Sequence, residues 1–162
     1  MSFKGPRVLL FLVAGFAATA SIAHHSFAMF DLSRHVLVEG NVTSWDFNNP
    51  HSWLHIEGLD ENGQIQTWSF EGAAPMHAAR QGVSGSTFSK GEFVRVVMSP
   101  LRDGRPAGAM CFVIKEDGRA VRPNDGTCDA SAVIESWQAN SWIDDTPHLA
   151  ERSAAGSVIE AE

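Results

Sequence analysis

Histidine is the residue type in this sequence with the clearest capacity for chemistry, and the 162 residues contain seven of them. Two are adjacent, two are four residues apart after an Asn-Pro turn, and one lies further along the chain. Imidazole nitrogens are common ligands of zinc and copper. The sequence therefore predicts a Cu or Zn site, with five candidate metal ligands: His24, His25, His51, His55 and His77.

The adjacent pair His24-His25 follows a candidate export cleavage site. Cleavage after Ala23 would give His24 a free α-amine, and that amine and an imidazole nitrogen can chelate one ion, an arrangement that suits copper. Cleavage after Ala20 would remove the chelate but keep both imidazoles. The alternative is a solvated N-terminal arm that binds no metal.

The second pair lies in the segment NPHSWLH, where strand alternation places His51, Trp53 and His55 on one face. Leu54 and Ile56 then point to the other face. Positions i and i+4 of a strand are about 13 Å apart, so one ion reaches both histidines only if the chain bends. Each histidine otherwise needs partners from elsewhere, such as the N-terminal pair. The alternative is that Trp53 and His55 pack on a barrel face.

His77 lies in a predicted short helix, where a surface or packing role is the alternative to metal binding. Arg102 and Arg105 flank an Asp-Gly turn and either hold an anion or are solvated. Three tryptophans are candidates for stacking on a ligand ring or for packing in the core: Trp45, Trp53 and Trp68.

Catalytic motifs are absent from the sequence, which has no nucleophile elbow, no HExxH segment and no phosphate-binding loop. This pattern favours a non-catalytic binding protein. A mononuclear copper enzyme is the least favoured alternative, because it needs the free amine of His24 and a second histidine within reach.

The N-terminus has the order of a secretory signal peptide, predicted over residues 1–23. Lys4 and Arg7 precede a 13-residue apolar run from Val8 to Ala20, and small residues follow. A membrane span needs about 20 apolar residues, and no second long apolar run is present. We therefore expect a periplasmic or secreted protein without a stable membrane span, with an uncleaved N-terminal anchor as the alternative.

The charge balance argues against nucleic acid as a partner. Removal of the signal leaves 10 basic against 19 acidic residues, with no basic cluster. Residues 122–162 are the more acidic part and are predicted to be a partly disordered tail containing a helix from Ala130 to Trp142. An accessory protein that docks on another envelope protein through this tail is therefore the second functional hypothesis.

The two cysteines, Cys111 and Cys128, are predicted to form a disulfide, because an exported chain meets an oxidising compartment. A closed loop of this length is worth roughly 3 kcal/mol in the chain-entropy model. Metal binding by the two cysteines is the lesser alternative, since they are not in a CxxC motif.

Residues 24–121 read as one β domain with the element order of an OB-like β-barrel. Three strands, a short helix and two further strands are predicted, with Gly40 as a bulge or bend in the first strand. A small sandwich or another open barrel is the alternative. The predicted elements are His35–Trp45, Ser52–Glu57, Gln64–Phe70, the helix Pro75–Gln81, Phe93–Met98 and Ala107–Lys115.

The sequence also resembles a family of small exported bacterial proteins known as a domain of unknown function, DUF6152, over residues 23–118. The His-His-Ser-Phe segment and the Asn49-Pro50-His51 turn are the most specific features in combination. Glu92 stands where members often have Asp. The resemblance implies export and a single small domain, and it implies no reaction. The resemblance to this family also includes the following positions: Phe30-Asp31, Glu39-Gly40-Asn41-Val42, Trp45, Trp68, Gly82, Lys90-Gly91-Glu92 and Arg102-Asp103-Gly104.

Overall fold

A computed structural model describes residues 27–60, 62–139 and 159–160. A single 3-10 turn, Phe27–Met29, precedes the strands. The elements are β1 (Val36–Asp46), β2 (Trp53–Leu59), β3 (Ile65–Glu71), α1 (Pro75–Arg80), β4 (Phe93–Pro100), β5 (Ala107–Lys115), β6 (Ala120–Val121), α2 (Ala130–Ala139) and β7 (Ile159–Glu160). The predicted signal peptide, both of its cleavage sites, His24, His25 and Trp142 lie outside the described residues.

Strands β1 to β5 close into a barrel. β1 pairs antiparallel with both β2 and β4, β2 with β3, and β4 with β5, while β3 and β5 pair in parallel and complete the circle. Helix α1 connects β3 to β4. The predicted OB-like barrel, with its short helix between the third and fourth strands, is confirmed.

The barrel closes because β1 changes partners along its length. Its first half pairs with β4 and its second half with β2, and Gly40 lies at the crossing, opposite Gly58. A Cβ atom at Gly40 would overlap the carbonyl oxygen of Glu57, and one at Gly58 would overlap that of Glu39. Two facing glycines therefore allow the strands to approach closely, and the predicted bend at Gly40 has a steric cause.

Alternation along the strands fills the barrel interior. Leu54 and Ile56 of β2 are fully buried, while Trp53 and His55 lie on the outer face and are half-buried. Trp68 and other apolar side chains from all five strands complete the core. The predicted two faces of the second strand are confirmed.

A second apolar layer covers the outer face of β1, β4 and β5. Trp137 of α2 is 1% exposed and packs there in one cluster with Leu37, Phe112 and Ile114. The predicted disulfide between the two cysteines joins β5 to the segment before α2. The first part of the predicted tail is therefore helical and packed on the barrel. No helix within the described residues is long and apolar enough to cross a membrane.

Candidate functional site

The outer face of β1, β2 and β3 carries most of the predicted functional side chains. Strand register places Asp46, Trp53 and Glu71 side by side across the three strands. In the next row along the sheet, His55 lies opposite Ser69. Directly opposite residues share a face, so the pairing of three strands gathers two carboxylates around one tryptophan.

His51 immediately precedes this face and is held by two hydrogen-bond acceptors. Its Nδ1 atom lies 3.2 Å from the carbonyl oxygen of Gly72 and 3.2 Å from Oε1 of Glu71. The His51 and Glu71 side chains are only 15% and 13% exposed. Because both partners accept, Nδ1 carries a proton, and the neutral ring has its lone pair on Nε2. This is the tautomer of a metal-binding histidine whose other nitrogen is held by a carboxylate or a carbonyl.

His55 is held differently, because partners approach both of its ring nitrogens. Nδ1 lies 2.9 Å from the hydroxyl of Ser69, Nε2 lies 3.5 Å from Oδ2 of Asp46, and the ring stacks on Trp53. The chain Ser69–His55–Asp46 has the residue order of a hydrolytic triad. However, the 3.5 Å between His55 Nε2 and Asp46 Oδ2 is longer than a good hydrogen bond. The backbone N–H of Ser69 donates to the carbonyl oxygen of Pro106. The contacts therefore orient the imidazole ring.

A cavity of about 330 Å³ lies beside this face. This volume lies at the small end of the range for ligand pockets. Most of its wall is apolar, and Ser69, Glu71 and Arg105 contribute polar atoms. The apolar lining includes Met29, Phe30, Trp53, Leu101 and Pro106.

The N-terminal segment forms one wall of the cavity and is fixed to the β4–β5 loop. Phe30 forms a β-bridge with Leu101. The backbone N–H of Arg102 donates to the Met29 carbonyl, and its guanidinium Nε donates to that of Ala28. Arg102 thus ties this loop to the residues that closely follow His24-His25.

Asp31 also stabilises this junction. Its Oδ1 accepts a hydrogen bond of 2.6 Å from the hydroxyl of Ser33 and lies 3.8 Å from Arg102. The Ser33 hydroxyl is the main cause that lowers the pKa of Asp31, assisted by the Ser33 N–H and by Arg102 and Arg34, and opposed by burial.

The predicted histidines are brought together only in part. His51 lies just before β2 and His55 lies within it, and they contact different carboxylates. His77 is exposed on α1, and its backbone N–H donates to Ala74. Across 27–60, 62–139 and 159–160, no group of three metal-ligand atoms includes His51, His55 or His77. Any site that joins them to His24 and His25 involves residues outside those described.

One group of three potential ligands is present in the described part of the chain. His35 lies beside Cys111 and Cys128, and the three ligand atoms are within 4.8 Å of one another. The cysteines are disulfide-bonded. Burial lowers the pKa of His35 below its usual value. The sequence predicts the disulfide between the two cysteines. It does not predict that His35 lies beside them, because His35 is more than 70 residues before Cys111.

Asp46, Ser69 and Glu71, which contact the histidine rings, were also not predicted from the sequence. Side-chain alternation could have identified them. Each lies either at an outward-facing position of a predicted strand or directly after a predicted strand. Which of them would lie opposite His51 or His55 depends on strand register, which a single strand does not specify.

Comparison with known proteins gives a family without an activity. The model of a family of unknown function, DUF6152, matches residues 12–110, which include β1 to β4, the Asn49-Pro50-His51 turn and the start of β5. No curated protein and no solved structure matches the chain. The family model covers more than half of the chain and agrees with the resemblance seen in the sequence. The chain therefore belongs to DUF6152, a family of unknown function.

Proposed function

We propose that this chain is an exported binding protein for Cu or Zn, with His51, His24 and His25 as the metal ligands. The observation that carries the proposal is the contact of His51 Nδ1 with Glu71 and Gly72. It selects the tautomer that offers Nε2 to a metal ion and restricts the orientation of the ring.

The second support is the position of the N-terminal segment. Met29 lines the same cavity as Glu71, the residue that contacts His51. His25 is four positions before Met29, and an extended chain spans about 3.3 to 3.6 Å per residue. The chain between them therefore spans at most about 14 Å, and the proposal takes the N-terminal pair as the partners of His51.

His55 and His77 rank below His51 as ligands in this proposal. The Ser69 hydroxyl beside Nδ1 of His55 can donate or accept, so it does not assign the tautomer of that ring, and His77 lies on α1 rather than on the β1–β2–β3 face. Export is supported by the disulfide, because such bonds persist in oxidising compartments.

The test uses the full chain, produced with its signal sequence and recovered from the periplasm. N-terminal sequencing establishes the cleavage site, and competition titrations measure the Cu²⁺ and Zn²⁺ affinities. We expect His51→Ala and the His24→Ala/His25→Ala double variant each to weaken binding at least tenfold. His77→Ala is the matched control and leaves the affinity unchanged. Equal affinities in the parent and both test variants would refute the proposal.

A second candidate function is supported by the cavity. Its mostly apolar wall suits a small apolar ligand, bound between Trp53 and Arg105. Quenching of tryptophan fluorescence by such ligands, compared between the parent chain and Trp53→Leu, tests this alternative. If quenching is the same in the parent chain and in Trp53→Leu, this cavity is not the ligand site.

A further inference from the structure

The disulfide lies beside a histidine on the other side of the barrel, under α2, away from the β1–β2–β3 face. His35 immediately precedes β1, Cys111 is in β5 and Cys128 precedes α2. Their ligand atoms lie within 4.8 Å of one another. We propose that reduction of the disulfide converts these three side chains into a copper(I) site, separate from the histidine site proposed above.

The geometry is close to that of a metal centre. Bonds of about 2.0 to 2.3 Å place the ligand atoms about 3.7 to 4.0 Å apart around one three-coordinate ion. The two sulfur atoms, once unbonded, move apart towards this separation, and the imidazole moves by about 1 Å or less. Side-chain rotation is enough for such movements.

The backbone around the cysteines is held by contacts other than the disulfide. The side-chain amide of Asn124, which is 8% exposed, donates to the carbonyl oxygen of Cys111. The same side chain accepts from the N–H of Gly126, which forms the turn that leads to Cys128. These hydrogen bonds do not need the S–S bond, so the reduced thiols remain close together.

The surroundings favour a soft ion. Cys111 is fully buried in the apolar cluster that contains Phe112 and Trp137, whereas Cys128 and His35 are half-buried. An ion therefore enters from the side of Cys128 and reaches a centre shielded from water. Two thiolates and one imidazole satisfy Cu⁺, which accepts three soft ligands, whereas Zn²⁺ requires a fourth ligand.

The reduction needs a dithiol reductant. One thiolate of the reductant attacks a sulfur of the disulfide and forms a mixed disulfide, and its second thiol releases the protein cysteine. Two electrons and two protons pass from the dithiol to Cys111 and Cys128, and the reductant leaves as its own disulfide. Cu⁺ then displaces the two thiol protons to solvent and binds both sulfur atoms and His35.

The experiment compares the oxidised full chain with the chain reduced by a phosphine and desalted under anaerobic conditions. Each is titrated with Cu⁺ held by a chromogenic copper(I) chelator. We expect the reduced chain to take one equivalent of Cu⁺ more than the oxidised chain and to gain the near-ultraviolet absorption of a copper–thiolate bond. The oxidised chain takes none at this site.

Three variants identify the ligands. Cys111→Ser/Cys128→Ser is expected to abolish the absorption, and His35→Ala to weaken Cu⁺ binding at least tenfold. His77→Ala, on α1 and outside this group of three ligands, is expected to behave as the parent. Near-ultraviolet circular dichroism, recorded without metal, shows whether each variant is folded.

The proposal is overturned if the reduced parent takes no Cu⁺, if the oxidised chain shows the same thiolate band, or if folded His35→Ala binds as tightly as the parent. Tighter binding of Zn²⁺ than of Cu⁺ by the reduced chain overturns the choice of ion.

Discussion

At the scale of single residues, two histidines four positions apart have different chemistry because their neighbours differ. His51 has two acceptors beside Nδ1, the Gly72 carbonyl and the Glu71 carboxylate, and both favour a proton on that nitrogen. His55 has a hydroxyl at one nitrogen and a carboxylate near the other. Residue type alone therefore does not rank the candidate ligands; their hydrogen-bond partners do.

Glu71→Gln is expected to weaken Cu²⁺ or Zn²⁺ binding by about 10- to 100-fold, because the carboxylate orients the His51 ring. The matched control is Glu57→Gln, an exposed carboxylate in β2. Competition titrations of both variants provide the measurement. A loss that is the same in both variants would mean that general negative charge attracts the ion, with no specific role for Glu71.

Asp31→Asn is expected to lower the melting temperature more at pH 7 than at pH 3. The fold lowers the pKa of Asp31 below its usual value of 3.8, so the ionised form is favoured in the folded state. Its stabilising effect is complete above pH 3.8 and is lost as the pH falls through the lowered pKa. Thermal unfolding of parent and variant at both pH values tests this. A difference of the same size at pH 3 would contradict it.

At the scale of elements, β1 determines whether the barrel closes. It pairs with β4 and then with β2, and the facing glycines at positions 40 and 58 permit the close crossing. The outward residues of its second half then join those of β2 and β3. The bend that closes the barrel is therefore also what places Asp46 near His55.

Gly40→Ala is expected to cost roughly 1 to 3 kcal/mol of unfolding free energy, because its Cβ would overlap the backbone carbonyl of Glu57. Gly85→Ala is the matched control, since a Cβ there lies 3.8 Å from Phe47, an ordinary contact. Urea unfolding of both variants measures the difference. Equal stabilities would show that β1 can shift at the crossing without loss.

At the scale of the whole molecule, the barrel carries two groups of candidate ligands on different faces. The β1–β2–β3 face carries the histidines and the adjacent cavity, and the opposite region carries the disulfide beneath α2. The segment from Ala130 to Ala139 is thus part of the fold, although its composition groups it with the acidic tail. Apolar side chains on one side of this helix account for its packing.

Reduction of the metal-free parent is expected to lower its unfolding free energy by about 3 kcal/mol, as the chain-entropy model gives for a loop of this length. The two cysteines are 17 residues apart. Urea unfolding with and without a phosphine reductant measures the loss. The Cys111→Ser/Cys128→Ser variant is the control and is expected to be insensitive to the reductant. The same loss in that variant would show that the reductant acts elsewhere.

The amino-acid sequence alone predicts the local structure, the β-barrel and the family. Alternation in Trp53–Leu59, the Pro at the start of α1 and Gly40 in β1 are local signals, and each element they predicted is present within a few residues. The pairing of Cys111 with Cys128 followed from composition and compartment and is confirmed.

Which side chains are in contact depends on the tertiary structure. Glu71 reaches His51, Asp46 approaches His55, and His35 lies beside the disulfide because strands distant in sequence pair in one particular register. A shift of one residue would turn each side chain to the other face, and no single strand specifies its partner's register. Residue types and their spacing therefore identify the candidate ligands, and the closure of the barrel determines their neighbours.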